Sequence, residues 1–407
     1  MKGWVKKPLG EVTTKIGSGA TPLGGEAAYK KEGIALFRSL NVYDDGFREE
    51  GLARIDDQQA ARLSNVIVEP NDVLLNITGA SVARCCVAPE GLLPARVNQH
   101  VSIIRPRPKI LDSAFLHYLL IAPDCKKTLL NTGEEGGSTR QAITKAQLQD
   151  FVIEFPESLA EQQRIVGVLD EAMAGIATAR AHAETNLQNA RALFESHLHA
   201  VFTQRGPGWV ETTLDQATGG VFTGPFGSLL HKHDYIENGI PLVNPAHITD
   251  TGIEPDMRKT VSDATAKRLE NYIMRAGDLV IGRRGEMGRC ALVTEVEDGW
   301  LCGTGSFFIR PSDRCDMGYL VRYLRSEGCR KQLDALAGGA VMPNLSNTSL
   351  GGLSLFLPPV PEQKKILSEL DALSAETQRL AALYERKLAA LEELKKSLLH
   401  QAFAGEL

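Results

Sequence analysis

Both halves of this 407-residue chain contain polar segments whose side chains can read the edges of nucleic-acid bases. A guanidinium can donate two hydrogen bonds to guanine, a carboxamide can pair with adenine, and glycines let the backbone approach a phosphate. The segments are 76–84, 96–100 and 138–141 in the first half, and 282–289, 304–306 and 342–346 in the second. Within them, the predicted DNA contacts are Asn76, Thr78, Arg84, Asn98, Gln99, Arg140, Gln141, Arg283, Arg284, Arg289, Ser306 and Asn344. Because polar segments with glycine are also typical of ordinary turns, a purely structural interpretation stays open at this point.

Signatures of catalysis are sparse in the sequence. The chain has no G-x-x-x-x-G-K-[ST] loop, and the segment 244–247 (Asn-Pro-Ala-His) lacks the second proline and the aromatic residue of an amino-methyltransferase motif. Residues 17–19 (Gly-Ser-Gly) resemble the start of a cofactor loop but follow a poor strand pattern, and no Ser/His/Asp set stands out. The segment 231–234 (His-Lys-His-Asp) carries metal-ligand side chains, although a solvated loop is the better interpretation. We therefore predict no catalytic residue, cofactor site or metal site in this chain.

Composition narrows the class of protein further. The seven cysteines form no C-x-x-C pair, which predicts reduced thiols and no disulfide framework. The chain has 45 Lys and Arg against 50 Asp and Glu, whereas a sequence-independent DNA binder is normally far more basic. DNA contact would thus depend on local basic clusters, on base readout or on partners. The apolar runs are short and no signal peptide is recognisable, so we expect no membrane span and a cytoplasmic location.

The sequence repeats itself once. The segment 161–165 (Glu-Gln-Gln-Arg-Ile) returns 201 residues later as 362–366 (Glu-Gln-Lys-Lys-Ile), and each copy opens a long amphipathic stretch. Upstream, Gly-Trp-Val at 3–5 returns at 208–210. This pattern predicts one globular unit and one long helix, made twice in a single chain.

The fold class predicted from this pattern is α+β, with two similar mixed α/β domains related by an internal pseudo-twofold repeat. Each half has several short strands, a short helix, and a last strand that ends in proline at Pro156 or Pro358. The predicted domains are a first globular domain over 1–158, a first long helix over 159–206, a second globular domain over 207–358 and a second long helix over 359–407.

The two long helices have recognisable ends and one apolar stripe. Ser158 and Glu161 form a predicted capping box, and Gly206 marks the end of the first helix. The stripe contains Ile165, Leu169, Ala172, Ile176, Ala179, Ala183, Leu187, Ala190, Phe194, Leu198 and Val201. The second helix places larger residues at matching positions, namely Leu373, Leu380, Tyr384 and Leu391. A helix of roughly 60 Å with one apolar stripe needs a long partner, so we predict an antiparallel coiled coil of the two. Two independent helices, each folded back on its own domain, are the alternative.

Taken together, these features resemble the specificity subunit of type I restriction-modification systems, and the resemblance covers essentially the whole chain. The residues that carry it, besides the two helix openings, are 224–228 (Gly-Pro-Phe-Gly-Ser), 239–241 (Gly-Ile-Pro), 19–22 (Gly-Ala-Thr-Pro), 33–34 (Gly-Ile), 277–281 (Gly-Asp-Leu-Val-Ile) and 357–363 (Leu-Pro-Pro-Val-Pro-Glu-Gln). The first half departs from the pattern at 70–72, where Pro-Asn-Asp replaces a Gly-Asp, and at 155–159, which lacks the double proline.

The resemblance implies that each globular half is a target recognition domain that reads one half of a split site in double-stranded DNA. It implies that the helices act as a spacer and as a docking surface for two DNA methyltransferase (modification) subunits, which would bind S-adenosylmethionine and methylate adenine at N6. A restriction and translocase subunit that uses ATP and Mg would join the same assembly in host defence. The chain itself would hold no cofactor and would not be an enzyme.

Three alternatives stay open, two from other classes and one a close variant of the same class. A helical interaction scaffold without a DNA role would use the same paired helices. A subunit retained for modification without restriction would share the DNA site, and a standalone enzyme would need a nucleophile or cofactor loop that the sequence does not offer.

Overall fold

A computed structural model describes residues 3–134, 142–204, 206–226, 229–337 and 344–407. The chain divides into two compact units, unit 1 with Met1–Glu184 and Arg386–Leu407, and unit 2 with Thr185–Glu385. Each unit thus contains one of the predicted globular halves and portions of both long helices. The domain boundaries predicted above stay a prediction.

Unit 1 is built from three main sheets and several helices. Its strands are β1 (Trp4–Pro8), β2 (Thr13–Ser18), β3 (Ile34–Phe37), β4 (Val42–Tyr43), β5 (Gly46–Phe47), β6 (Ala53–Ile55), β7 (Ile67–Val68), β8 (Val73–Asn76), β9 (Cys85–Val87), β10 (Ala95–Val97), β11 (Val101–Pro106) and β12 (Val152–Pro156). Its helices are α1 (Asp57–Arg62), α2 (Ser113–Ile121), α3 (Pro123–Glu134), α4 (Lys145–Asp150) and the first portion of α5 (Leu159–Thr203). The sheets have the orders β2-β11-β8-β9, β6-β3-β10-β7 and β1-β12, and β4 pairs with β5.

Unit 2 repeats this plan. Its strands are β13 (Val210–Thr213), β14 (Val221–Thr223), β15 (Tyr235–Ile236), β16 (Ile240–Val243), β17 (Thr260–Val261), β18 (Leu279–Gly282), β19 (Cys290–Leu292), β20 (Leu301–Cys302), β21 (Ser306–Ile309) and β22 (Ser354–Leu357). Its helices are α6 (Leu214–Ala217), α7 (Asp263–Arg268), α8 (Met317–Arg325), α9 (Glu327–Leu336), α10 (Asn347–Gly351) and the first portion of α11 (Val360–Ala404). The sheets are β14-β21-β18-β19, β15-β17-β16-β20 and β13-β22. The predicted α+β class and the internal repeat are confirmed.

The central strands of each unit are buried on both faces. In β8, Val73 and Leu75 face one core while Leu74 faces another, because successive side chains of a strand point to opposite sides. In β18, Leu279 and Val280 are divided in the same way. A run of apolar residues without alternation is therefore what these strands require, and each fully buried side chain contributes about 1.5–3 kcal/mol.

A buried ion pair joins the central strands in each unit. In unit 1, the Asp72 carboxylate has 0% exposure and accepts two hydrogen bonds from Arg105, at 2.7 and 2.8 Å. In unit 2, Asp278 accepts from Arg310 at 2.5 Å. The charges are paired, as buried charges must be if they are not to cost several kcal/mol.

The glutamine of each helix-opening motif connects the helix to the globular part of its unit. Gln162 is fully buried, and its Oε1 accepts from the Asp112 amide (2.8 Å) while its Nε2 donates to the carbonyl oxygens of Ile110 (2.9 Å) and Pro156 (2.8 Å). Asp112 in turn caps α2 by accepting from the Phe115 amide (3.0 Å). One side chain thus positions the start of α5, the end of β12 and the start of α2 together.

Gln363 makes the same three hydrogen bonds in unit 2. Its Oε1 accepts from the Asp316 amide (2.7 Å), and its Nε2 donates to the carbonyl oxygens of Arg314 (3.0 Å) and Pro358 (2.8 Å). Asp316 caps α8 through the Tyr319 amide (3.0 Å). The repeated motif therefore has a positional role that its spacing alone did not reveal.

The long helices α5 and α11 are 45 residues each and run antiparallel within both units. In unit 1, Arg164 donates to the Leu407 carbonyl oxygen (2.8 Å) and Arg180 lies 4.0 Å from Glu392, so the numbering falls along α11 as it rises along α5. In unit 2, Arg191 pairs with Glu385 at 2.8 Å. Portions of both helices occur in each unit, so the alternative of two independent helices is wrong.

Burial along the helices follows the predicted stripe. All its positions on α5 are buried or half-buried, and so are the four larger residues at the matching positions of α11. Only half of the predicted capping box forms as expected. The Glu161 amide donates to the Ser158 hydroxyl (3.4 Å), but the Glu161 carboxylate pairs with Arg164, because that guanidinium lies one turn further along the helix and offers two donors. Among the described residues, no helix combines the length and apolar composition needed to span a bilayer.

Candidate nucleic-acid interface

The predicted contacts of unit 1 that follow β8 are held by backbone hydrogen bonds. The Ile77 amide donates to the His100 carbonyl oxygen (2.9 Å), and the Ile143 amide donates to the Ile77 carbonyl oxygen (2.8 Å). Thr78 forms an antiparallel bridge with Ala142. Three chain segments that are distant in sequence therefore meet where β8 ends.

Unit 2 has the same arrangement where β18 ends. The Arg283 amide donates to the Gly305 carbonyl oxygen (3.0 Å), and the Leu345 amide donates to the Arg283 carbonyl oxygen (3.0 Å). Arg284 forms an antiparallel bridge with Asn344. Thr78 and Arg284 hence occupy the same backbone position of the repeat, and so do Ala142 and Asn344.

Three of the predicted contacts in unit 1 line one open cleft of about 650 Å³. They are Thr78, Arg84 and Gln99, and the other lining residues are Ser39, Leu40, Tyr43, Gly79, Ala80, Ser81, His100 and Ala142. The side chains that line the cleft offer both donors and acceptors, which is the chemistry that base readout needs.

His100 organises the polar side chains of this cleft. Its Nδ1 hydrogen-bonds to the Thr78 hydroxyl, and its Nε2 lies 3.0 Å from Nε2 of Gln99. The Gln99 side chain also accepts from the Thr21 hydroxyl. The carboxamide is therefore held in place while Gln99 as a whole is exposed, so it is available to a ligand.

Tyr43 supports the cationic side of the cleft. The Arg84 guanidinium lies 4.8 Å from the ring centroid of Tyr43, and that of Arg48 lies 3.7 Å from it. Such cation–π contacts position a guanidinium without consuming its hydrogen-bond donors. Sequence reasoning missed Tyr43 and Ser39, and it included His100 in the segment 96–100 without predicting it as a contact. His100 directly follows Gln99 and could have been found from that neighbour, whereas Tyr43 lies 41 residues from Arg84 with no local signal.

In unit 2, two adjacent arginines have different environments. Arg283 is half-buried, donates through Nε to Oδ1 of Asn344 (3.0 Å) and lies 5.3 Å from the ring centroid of Phe307. Burial, followed by the charge of Arg284, lowers the pKa of the Arg283 guanidinium from its ordinary value. Arg284 is exposed, and within the part of the chain that the structure describes, its guanidinium has no hydrogen-bond or ion-pair partner. Of the two, Arg284 is the one free to meet a ligand.

Arg289 is part of a small charged cluster. It hydrogen-bonds to the Glu286 carboxylate, which also lies 3.7 Å from Arg330. The hydrogen bond from Arg289 is the main cause that lowers the pKa of the Glu286 carboxyl. Arg289 corresponds to Arg84 in the repeat. The Gly282 amide donates to the Arg289 carbonyl oxygen in unit 2, and the Asn76 amide donates to the Arg84 carbonyl oxygen in unit 1.

Three predicted contacts lie in the interior. Asn76 and Ser306 have 0% exposure and Asn98 has 4%. Asn76 donates to the Ser39 carbonyl oxygen (2.9 Å), and Asn98 accepts from the His100 amide (3.0 Å). We call the segments 76–84 and 96–100 of unit 1, and 282–289 and 304–306 of unit 2, the reading segments, and the place where they meet in each unit its reading site. The positions of Asn76, Asn98 and Ser306 favour support of these segments over direct contact with a base. The remaining predicted contacts, Arg140 and Gln141, lie outside the described residues.

Two of the other candidate segments of the sequence are structural turns, and the third, 17–19, lies at the end of β2. In the segment 231–234, the Asp234 carboxylate accepts from the His231 amide (2.7 Å) and pairs with Arg268 (2.8 Å), so it stabilises a short 3-10 turn. Pro245–His247 form another such turn, and a Cβ on Gly303 would lie 2.3 Å from Oδ1 of Asn244. The segment 244–247 thus packs tightly against the strand junction. Among the residues that the structure describes, no group of three His, Cys, Asp or Glu side chains could hold a metal ion.

Comparison with known proteins supplies the family. Residues 1–184 and 221–388 each match the type I restriction modification DNA specificity domain. The chain is 23% identical to the type I restriction enzyme StySPI specificity subunit of Salmonella potsdam, with 100% of this chain and 89% of that one covered. A solved structure of the HsdS subunit from Thermoanaerobacter tengcongensis shares the fold with a TM-score of 0.69 and 20% identity, covering 100% of this chain and 98% of that one. A chain from a solved structure on complex assembly and conformational transition of the type I R-M system shares the fold with a TM-score of 0.75 and 20% identity. The match covers 100% of this chain and 99% of that one.

Proposed function

Because this chain belongs to the family of type I restriction modification DNA specificity proteins, we propose that units 1 and 2 each read one half of a split DNA sequence. The chain is the non-catalytic, sequence-specific subunit of such a system. The observation that carries the proposal is the shared backbone arrangement after β8 and β18, which presents different side chains in the two units. Two similar readers with different contact residues fit a target whose halves differ in sequence.

We propose that the contacts divide into base readers and backbone contacts. Arg84 and Gln99 in unit 1, and Arg284 in unit 2, would meet base edges, which is supported by the position of the first two in the open cleft and by the exposure of Arg284. The glycines next to the two bridges, Gly79 and Gly285, have φ of +77° and +81° and are exposed. In that left-handed conformation a glycine is favoured, and its amide can approach a phosphate without a side chain in between.

The proposal extends to partners that supply the reactions. The long helices α5 and α11 would dock two N6-adenine methyltransferase subunits, which would hold S-adenosylmethionine. Restriction and translocase subunits with ATP and Mg would complete the assembly, and cytoplasmic location would follow from DNA as the target. The unit-by-unit repeat supports two modification subunits, since each unit offers the same succession of domain and helix segments.

Mapping of methylated adenines tests the proposal. DNA from cells that express this chain with its modification subunit is expected to carry N6-methyladenine in one asymmetric sequence made of two separated parts. Cells that express the modification subunit alone provide the control. Methylation in a single contiguous tract, or the same pattern without this chain, would contradict the assignment of one half-site to each unit.

Replacing Arg284 with alanine is expected to relax recognition at one base pair of the half-site read by unit 2. The loss of a base contact costs about 1–3 kcal/mol at that position and leaves the other half-site as selective as before. Methylation mapping and competition binding with single-base variants of the site measure both effects. Arg258→Ala is the matched control, because Arg258 is 84% exposed in a turn outside the reading segments. Equal weakening on all sequences would instead identify Arg284 as a phosphate contact.

A further inference from the structure

In unit 1, the loop after β2 is fixed against the reading site by a single glycine. The Gly19 amide donates to the Asn98 carbonyl oxygen at 3.1 Å. A Cβ added to Gly19 would lie only 1.8 Å from the Val97 carbonyl oxygen, so no other residue fits without a shift of the backbone. Two residues further along, the Thr21 hydroxyl donates to the Gln99 side chain in the cleft.

The loop after β14 in unit 2 is fixed in the same way. The Gly224 amide donates to the Ser306 carbonyl oxygen at 3.1 Å. A Cβ on Gly224 would lie 2.0 Å from the Gly303 carbonyl oxygen. Pro225 follows directly and restricts the backbone. Both loops are therefore attached at their first residues, Gly19 and Gly224, close to the reading site.

Each loop carries a large apolar side chain into solvent. Phe226, two residues after Gly224, is 57% exposed, and Leu23, four residues after Gly19, is 84% exposed. Phe222 and Leu229 flank Phe226 in the chain and are 42% and 38% exposed. Single exposed apolar residues are common, but an apolar residue that closely follows the glycine attached beside the reading site is a feature of both units.

The chemistry of DNA offers one extended apolar surface to such side chains. Base faces are apolar and become accessible when a step between two base pairs is unstacked, and Phe and Leu are among the residues that proteins insert there. Attachment of each loop at its glycine favours insertion, because less conformational entropy is then lost when the apolar side chain binds.

We propose that Phe226 and Leu23 insert into a base-pair step, each in the half-site that its own unit reads, and unstack it. This inference rests on the proposed reading of DNA by both units. The inserted side chains would make base edges more accessible to Arg284 in unit 2 and to Gln99 in unit 1. Specificity would then include the ease with which a particular step is unstacked.

The test uses the complex of this chain with its modification subunits on duplexes of the mapped sequence, with 2-aminopurine placed in turn at each position of the half-site. The fluorescence of 2-aminopurine rises when it is unstacked. We expect one position besides the methylated adenine to brighten with the wild-type complex. Phe226→Ala should abolish that signal and weaken binding about tenfold or more, while Phe226→Trp should retain it. Leu23→Ala should act likewise in the other half-site only.

Val296→Ala provides the control, since Val296 is 74% exposed in unit 2 outside the two loops. An unchanged 2-aminopurine pattern in Phe226→Ala overturns the inference, whether or not affinity falls, and leaves the proposed function intact. So does a wild-type complex that selects its sequence without brightening a second position. A wild-type complex that selects no sequence would contradict the proposed function itself. The same binding titrations distinguish this failure from a failure of the insertion alone.

Discussion

Replacing Gln162 with alanine is expected to lower the free energy of unfolding of unit 1 by about 3–5 kcal/mol. The change leaves one buried amide and two carbonyl oxygens without their partner, and each costs about 1–3 kcal/mol before relaxation. Urea unfolding followed by the fluorescence of Trp4 measures the effect, in a background where Trp209 and Trp300 are replaced by phenylalanine. The ring centroids of Trp4 and Phe115 lie 6.2 Å apart, and the Phe115 amide donates to the Asp112 side chain at the start of α2.

The adjacent glutamine is a matched control. Gln163 is exposed on the same turn of α5, so Gln163→Ala should change the unfolding free energy by about 0.5 kcal/mol or less. Gln363→Ala should destabilise unit 2 by an amount similar to the effect of Gln162→Ala on unit 1, because the three hydrogen bonds are the same. If Gln162→Ala and Gln163→Ala behaved alike, the hydrogen bonds of Gln162 would not hold α5 to its domain.

Replacing Asp72 with alanine should be as damaging, because it leaves the Arg105 guanidinium without its main partner. The hydrogen bond that Arg105 donates to Asp72 is the largest cause that raises the pKa of Arg105 above its ordinary value. Removal of one member of a buried ion pair typically costs about 3–5 kcal/mol. The same Trp4 fluorescence measurement applies, and circular dichroism shows whether the strands persist.

An exposed ion pair of the same unit provides the control for that measurement. Asp45 and Arg48 are 63% and 52% exposed, so Asp45→Ala should cost no more than about 1 kcal/mol. A loss from Asp72→Ala that did not exceed the loss from Asp45→Ala would mean that solvent reaches Arg105 and replaces the carboxylate.

The elements that sequence reasoning predicted well are those with a local signal. The stripe on α5 recurs every three or four residues, and the repeat of Glu-Gln at 161 and 362 marks the start of both long helices. Periodicity and repetition are properties of neighbouring residues, so they survive without knowledge of the fold.

The parts that could not be predicted depend on contacts between distant residues. Gln162 meets Asp112 across 50 positions, and the burial of Asn76 follows from strand pairing with β11. Polar type alone does not distinguish Asn76, at the buried end of β8, from Arg284, at an exposed turn. The positions of Arg84, Gln99 and His100 around one cleft likewise required the structure.

The main-chain hydrogen bonds after β8 and β18 have a consequence for evolution. They hold Thr78 where the other unit has Arg284, and Ala142 where it has Asn344, without using any of these four side chains. Substitution at these positions keeps the main-chain hydrogen bonds, although Thr78 and Asn344 also contact His100 and Arg283 through their side chains. We therefore expect that a lineage can acquire a new target through a few point mutations in one unit. The DNA sequences that descendants of this chain can come to recognise would then be limited mainly by the need to methylate the same sequences, and far less by the risk of misfolding.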